Sequence, residues 1–224
     1  ALPDLSPEAI EQKEQDLAQW LETLRKYDAN ALSEQSQLNR TAFIVRLQNE
    51  LDQLRFDDHY TPLTAEGGFH TSLARLPSGT QFNNEQDVQN YLARLSAVPT
   101  YFQQQMMWMR KGIEAGNAVP KVVLAGYEQS ISALIADEPT QSVFYAPFLD
   151  SSNDLSFLSV EQQNKVKQQA RLLISTRVNV AYQSYLNFMV NDYIPNARTN
   201  IGLINTPRGK EYYANRVRYY TTTD

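Results

Sequence analysis

Apolar residues recur at helical three- and four-residue steps from Ser159 to Tyr193, through Val166, Ala170, Leu173, Ala181, Tyr185, Met189 and Tyr193. This is the longest periodic stretch in the chain, and no glycine or proline interrupts it before Pro195. Ser159 with Gln162 three residues later forms a capping box, in which each side chain bonds the other's backbone amide. At ~1.5 Å per residue such a helix spans about 50 Å, wider than a small domain, so shorter helices must line up along it. The pattern predicts an all-α fold: a helical bundle around one long central helix, with long irregular loops.

The remaining segments supply the shorter helices. Ser6-Pro7-Glu8 is a helix start, with a serine cap, proline in the first turn and an acid to complement the dipole. Ile10, Leu17, Trp20, Leu21, Leu24 and Tyr27 then make one apolar stripe. A second helix is expected from about Ser33 to Arg55, with Leu38, Phe43, Ile44, Leu47, Leu51 and Leu54 inward. The turn at Asp28-Ala29-Asn30 makes the two an antiparallel hairpin. From Phe56 to Asn84 the helical period is lost among Pro62, Gly67, Gly68, Pro77 and Gly79, and the stretch reads as a long loop. Asn84 opens a third helix through Val88, Tyr91, Leu92 and Leu95, and Pro99 starts a fourth ending at Gly116. The methionine-rich run there invites a binding-surface reading, but Phe102, Met106, Met109 and Ile113 fall on one stripe and read as core. Pro120 starts a fifth helix with Val123, Tyr127, Ile131, Leu134 and Ile135 inside. Ser142 to Leu158 is aromatic and aperiodic, either a plug at one end of the bundle or a docking patch. Helical spacing resumes from Lys210 to Tyr220.

Composition narrows the setting more than the chemistry. At 224 residues with 42% hydrophobic and 11% aromatic side chains, the chain is expected to form a single helical domain over residues 1–224. A net charge of −5 argues against nucleic acid as a partner. No cysteine is present, which excludes disulfides and thiolate metal sites but is compatible with either side of a bacterial membrane. No apolar run reaches the ~20 residues that span a bilayer. Because the chain opens at Ala1 rather than a methionine, removal of an upstream segment is expected, and export stays open. The closing Thr221-Thr222-Thr223-Asp224 has the character of a helix N-cap, so a further C-terminal part is expected beyond it.

Candidate chemistry is sparse. His59 and His70, with Asp57 and Asp58, are the only metal-donor grouping, and two histidines eleven apart on an irregular segment match no ligand spacing. His70, beside Gly67-Gly68, is either a histidine bonding loop backbone or part of a cleft wall. Between Pro195 and Tyr220, Arg198, Arg208, Lys210, Arg216 and Arg218 face Glu211 alone, an excess of positive charge in an acidic chain. Tyr212, Tyr213, Tyr219 and Tyr220 are interleaved with them. Either these arginines pair with acids of the first helices while the tyrosines fill the core, or guanidinium forks and phenols hold a substrate carboxylate. A nucleic-acid patch would need more cations.

Several segments together resemble the bacterial proteins grouped as domain of unknown function 885, many of them predicted lipoproteins or secreted proteins. They are Gly67-Gly68-Phe69-His70-Thr71, Asp87 to Leu95, Met109 to Gly116, Asp192 to Arg198, and Pro207 to Tyr213 with the closing threonines. Members of that family resemble helical zincin-type metallopeptidases of carboxypeptidase style, with a His-Glu-x-x-Pro-Gly-His-His-like motif in the second half of the chain. No His-Glu pair exists in these residues. The resemblance therefore implies a non-catalytic N-terminal part that forms the substrate cleft. It implies no cofactor of its own, with zinc expected in a C-terminal part that would be its main partner, and peptide as substrate. His70, Tyr212, Tyr213, Arg216 and Arg218 are the expected substrate-binding residues, and a periplasmic or envelope-associated location is expected. The rival reading is a non-catalytic helical interaction module of an exported protein.

Overall fold

A computed structural model describes residues 1–150 and 153–221. Its helices are α1 (Pro7–Lys26), α2 (Glu34–Arg55), α3 (Phe69–Leu73), α4 (Glu85–Glu114), α5 (Tyr127–Ser132), α6 (Val160–Leu173), α7 (Asn179–Phe188), α8 (Ile194–Asn196) and α9 (Gly209–Thr221). Two two-residue strands, β1 (Leu63–Thr64) and β2 (Gly67–Gly68), pair antiparallel with Leu63 opposite Gly68. The fold is all-α apart from this hairpin.

The central rod is present from Val160 to Asn196, but it is not one plain α-helix. Ser159 and Gln162 make the expected capping box. Ile174–Val178 and Met189–Tyr193 are π turns that join α6 to α7 and α7 to α8. The cause lies in the spacing. Buried Val166, Ala170, Ile174, Val178 and Tyr182 recur at four-residue steps. At 3.6 residues per turn each such step drifts about 40° around the axis, so a straight α-helix would carry the stripe out of the core. A π turn holds more residues and returns the stripe to the same face. The shift of register also places Ile174 where Leu173 was expected.

The principal core lies between this rod and α4. Tyr91, Leu92, Leu95, Val98, Phe102, Met106 and Met109 of α4 are buried with Tyr182, Tyr185 and Met189 of the rod. Phe102 meets Tyr182 with ring centres 4.8 Å apart, and Phe69 packs 4.7 Å from Tyr185. The methionines are core, as their spacing indicated. Pro99 does not start a new helix but lies inside α4. Proline forfeits one backbone hydrogen bond and crowds the preceding turn, yet the buried stripe runs unbroken across it, and packing on both sides keeps one helix.

Elsewhere the elements are shorter than the pattern suggested. The fifth helix is split into a 3-10 turn at Lys121–Leu124 and α5, because Gly126 takes a left-handed φ of 84° between them. The stretch after α2 is not a loop but a chain of small elements: a 3-10 turn at Asp58–Tyr60, the β hairpin, α3 and a second 3-10 turn at Leu76–Gly79. The aromatic stretch after Ser142 is a plug, with Phe144, Tyr145 and Phe148 buried. Tyr91 donates to the Phe144 carbonyl at 2.7 Å, and Asn153 ties the Phe82 amide to the Pro147 carbonyl.

Helices α1 and α2 form the expected hairpin, capped by Ser6 and Ser33. It has a small core of its own, made of Leu17, Leu21, Leu47 and Leu51. Trp20, Tyr27, Leu38 and Phe43, expected inside, are exposed, Trp20 by 52% and Leu38 by 64%. Two helices bury one shared seam, and these four residues lie off it. No described helix is long and apolar enough to cross a membrane. Of the closing Thr221–Asp224 stretch, Thr221 ends α9 and the remainder lies outside the described residues.

Candidate functional site

The five expected substrate-binding residues do not converge. His70 has no exposed surface. Its Nε2 lies 3.0 Å from Ser130 Oγ, while Tyr182 donates to its backbone carbonyl at 2.7 Å. Burial lowers its pKa to about 4, so the ring is neutral at pH 7. It is a core histidine and not a cleft wall, because α3 turns its side chain towards α5 and α7. The Ser130 contact is no nucleophile and base pair either. Ser130 Oγ donates to the Tyr127 carbonyl at 2.8 Å, and His70 Nδ1 meets no orienting acid among the described residues.

The other four sit on α9 and point in different directions. Tyr213 is exposed over a shallow apolar depression with Leu203, Ile204 and Lys210. Arg216 bonds the Asn215 amide oxygen and lies 5.4 Å from the Tyr212 ring centre and 4.9 Å from that of Tyr219. Arg218 is exposed near the end of the helix. Tyr212 alone faces inward, and its hydroxyl donates to Asp58 Oδ1. Neither simple reading of the basic tail holds in full. Arg198, Arg208 and Arg216 form no ion pair with a described acid, and Tyr213, Tyr219 and Tyr220 are exposed.

What Tyr212 faces is a cavity of about 120 Å³, lined by Phe56, Asp57, Asp58 and Thr61 after α2, Asn117 and Val119 after α4, and Arg198, Leu203, Thr206 and Pro207 between α8 and α9. Three strands of chain meet here. Gly209 lets α9 start against the preceding turn: a Cβ on it would stand 1.9 Å from the Leu203 carbonyl oxygen. Lys121 donates its amide to the Arg198 carbonyl at 2.8 Å, which fixes the segment after α8 beside the one after α4.

Arg198 and the Tyr212–Asp58 pair are held by hydrogen bonds. Arg198 donates from Nε to the Ala118 carbonyl at 2.9 Å, and from Nη1 to the carbonyls of Asn200 at 2.6 Å and Gly202 at 3.2 Å. Burial pulls its pKa below the ordinary arginine value. Burial, then the bond to Asp58, pushes the Tyr212 phenol well above its usual range. Asp57 has a left-handed φ of 58° at the end of α2, and Arg208 one of 55° just before α9. Among the described residues these are the only non-glycine positions with positive φ. Asp57 lines this cavity and Arg208 directly follows its lining residue Pro207; backbone strain of this kind often marks function. Arg208 also stacks 4.4 Å over Phe56 and donates to the Arg55 carbonyl at 2.8 Å.

Zinc does not fit these residues. No three histidine, aspartate or glutamate side chains converge among the described residues. His59 is packed edge-on against Trp108 at 4.4 Å, and burial lowers its pKa against the opposing pull of Asp57 and Asp58. In the sequence Asp57 and Asp58 stand out as metal donors, and Arg198 as one of five cations and the end of a family-like segment, with nothing to join them. Their juxtaposition across 140 residues left no local pattern to read.

Comparison with solved structures finds a putative lipoprotein from Colwellia psychrerythraea, at 17% identity and a TM-score of 0.86. The match covers 97% of this chain but 39% of that one, so the chain spans about two fifths of its neighbour. At this identity the likeness shows the fold alone. No curated protein matches the sequence. The family model described as "Bacterial protein of unknown function (DUF885)" matches residues 1–224, and the chain belongs to that family.

Proposed function

We propose that residues 1–224 are the helical, cleft-forming part of a zinc-dependent, peptidase-like hydrolase of carboxypeptidase style, exported to the bacterial envelope, whose metal donors lie outside these residues. The observation that carries this reading is the cavity at Tyr212. It is a small, charged recess lined by one strained backbone position, Asp57, in a region where the described residues assemble no metal site of their own. Such a recess suits the holding and orienting of a polar substrate end rather than bond cleavage. The longer neighbour supports a larger protein around the same fold, and its description as a putative lipoprotein supports the envelope location.

Hydrolysis of a short-peptide panel by the longest polypeptide its gene encodes, with and without a chelator, tests the reading. Chelator-sensitive cleavage is expected there, and none from residues 1–224 alone, which should also take up no stoichiometric zinc after metal stripping. Absence of cleavage by the longer polypeptide would overturn it.

One observation favours the rival interaction module. The α1–α2 hairpin has a separate core and shows Trp20, Tyr27, Leu38 and Phe43 to solvent. On that reading the longer polypeptide cleaves nothing, while Trp20→Ala together with Phe43→Ala abolishes binding to its partner.

A further inference from the structure

The cavity beside Tyr212 contains two opposite charges that do not meet. Arg198 is fixed by three backbone carbonyls and has no carboxylate partner among the described residues. Asp57 is half-buried, and its carboxylate makes no hydrogen bond or ion pair with any described residue. Flexible side chains with opposite charges around one recess would ordinarily close on each other. Here they do not: the guanidinium is tied to Ala118, Asn200 and Gly202, and Asp57 projects from a left-handed backbone position on another segment. The second carboxylate, Asp58, is already engaged by the Tyr212 hydroxyl.

We infer that this cavity takes the zwitterionic head of a small α-amino acid, its carboxylate on Arg198 and its ammonium on Asp57. Nε and Nη1 of Arg198 are occupied by backbone carbonyls, which leaves Nη2 to donate to a carboxylate, and a compact ammonium matches the single carboxylate of Asp57. The volume of about 120 Å³ suits a head group with a small side chain, far below the roughly 300–1,000 Å³ of sites that enclose larger ligands. Phe56, Val119, Leu203 and Pro207 supply an apolar wall for an aliphatic side chain. A ligand with only one charge would leave the opposite wall group desolvated and unpartnered, which disfavours simple anions and simple amines. The inference rests on the cleft reading above, since a single amino acid is what a carboxypeptidase-style hydrolase releases.

Calorimetry and amide NMR on residues 1–224 with L-alanine, L-leucine, N-acetyl-alanine and alaninamide test it. Both amino acids should bind and perturb amides around Asn117, Val119 and Thr206. Each blocked analogue should bind at least about tenfold more weakly, as should the Asp57→Asn and Arg198→Lys variants, which keep the turn-forming residue type and the positive charge respectively. No binding by either amino acid, equal binding of N-acetyl-alanine, or full affinity in Asp57→Asn would overturn the inference. Amino-acid binding without hydrolysis by the longer polypeptide would sink the hydrolase reading alone. Hydrolysis without amino-acid binding would sink this inference alone.

Discussion

Tyr182 donates its hydroxyl to the backbone carbonyl of His70 at 2.7 Å, across 112 residues of chain. This bond ties the rod to the segment that carries the β hairpin. Tyr185, one turn along, has an equally buried hydroxyl that meets no partner among the described residues. The two should respond oppositely to loss of the oxygen. Tyr182→Phe removes one of the two bonds that the His70 carbonyl accepts, the other being from the Ala74 amide at 3.2 Å, and is expected to cost about 0.5–1.5 kcal/mol, while Tyr185→Phe should be neutral or stabilising. Urea midpoints at unchanged m-value measure both, and a destabilised Tyr185→Phe would refute the contrast.

His70 should make stability depend on pH. Its ordinary value is 6.5, and burial among Tyr127, Tyr185 and Phe69 lowers it to about 4 in the fold. Below pH 6.5 the unfolded chain takes up a proton that the buried ring does not, so stability declines as pH falls from about 6.5 to about 4 and levels off beneath. The loss amounts to about 3 kcal/mol over that window. His70→Gln removes this component. Unfolding measured at pH 7 and pH 4.5 on both proteins should show a smaller difference in the variant, whatever the carboxylates add.

Asp57→Gly should separate stability from binding. The left-handed backbone at this position costs a side chain that glycine does not have, so the variant is expected to be more stable by roughly 1 kcal/mol. It loses the carboxylate that faces the cavity. A raised melting temperature with weakened amino-acid binding is the expected pair of results, and a lowered melting temperature would contradict the strain argument.

The π turns give a deletion test with an internal control. Ile174–Val178 accommodates one residue more than an α turn, so removing exposed Thr176 should close it to plain α-helix with the buried faces kept in line. Removing Gln183, equally exposed but inside α7, turns everything after it by about 100°. That withdraws Tyr185, Phe188, Met189 and Tyr193 from the core together, at more than the roughly 3–5 kcal/mol of one large core truncation. Cooperative melting by circular dichroism should survive the first deletion and not the second.

The amino-acid sequence by itself determined the helices and most of the core. Serine caps, the apolar stripes and the stop at Gly116 are local signals, because a helix's hydrogen bonds and faces are set by residues a few positions apart. The methionines of α4 were legible for the same reason, whereas the aperiodic stretch at Phe144 left plug and docking patch equally open until its neighbours were in place. Only the tertiary structure decided that Pro99 lies inside one helix, that the rod contains π turns, and that Trp20 and Phe43 face outward. Each depends on what the partner element covers. The same holds for the cavity. Asp57 and Arg198 are ordinary surface residue types in sequence, and they acquire chemistry only because three distant segments meet and hold two opposite charges apart.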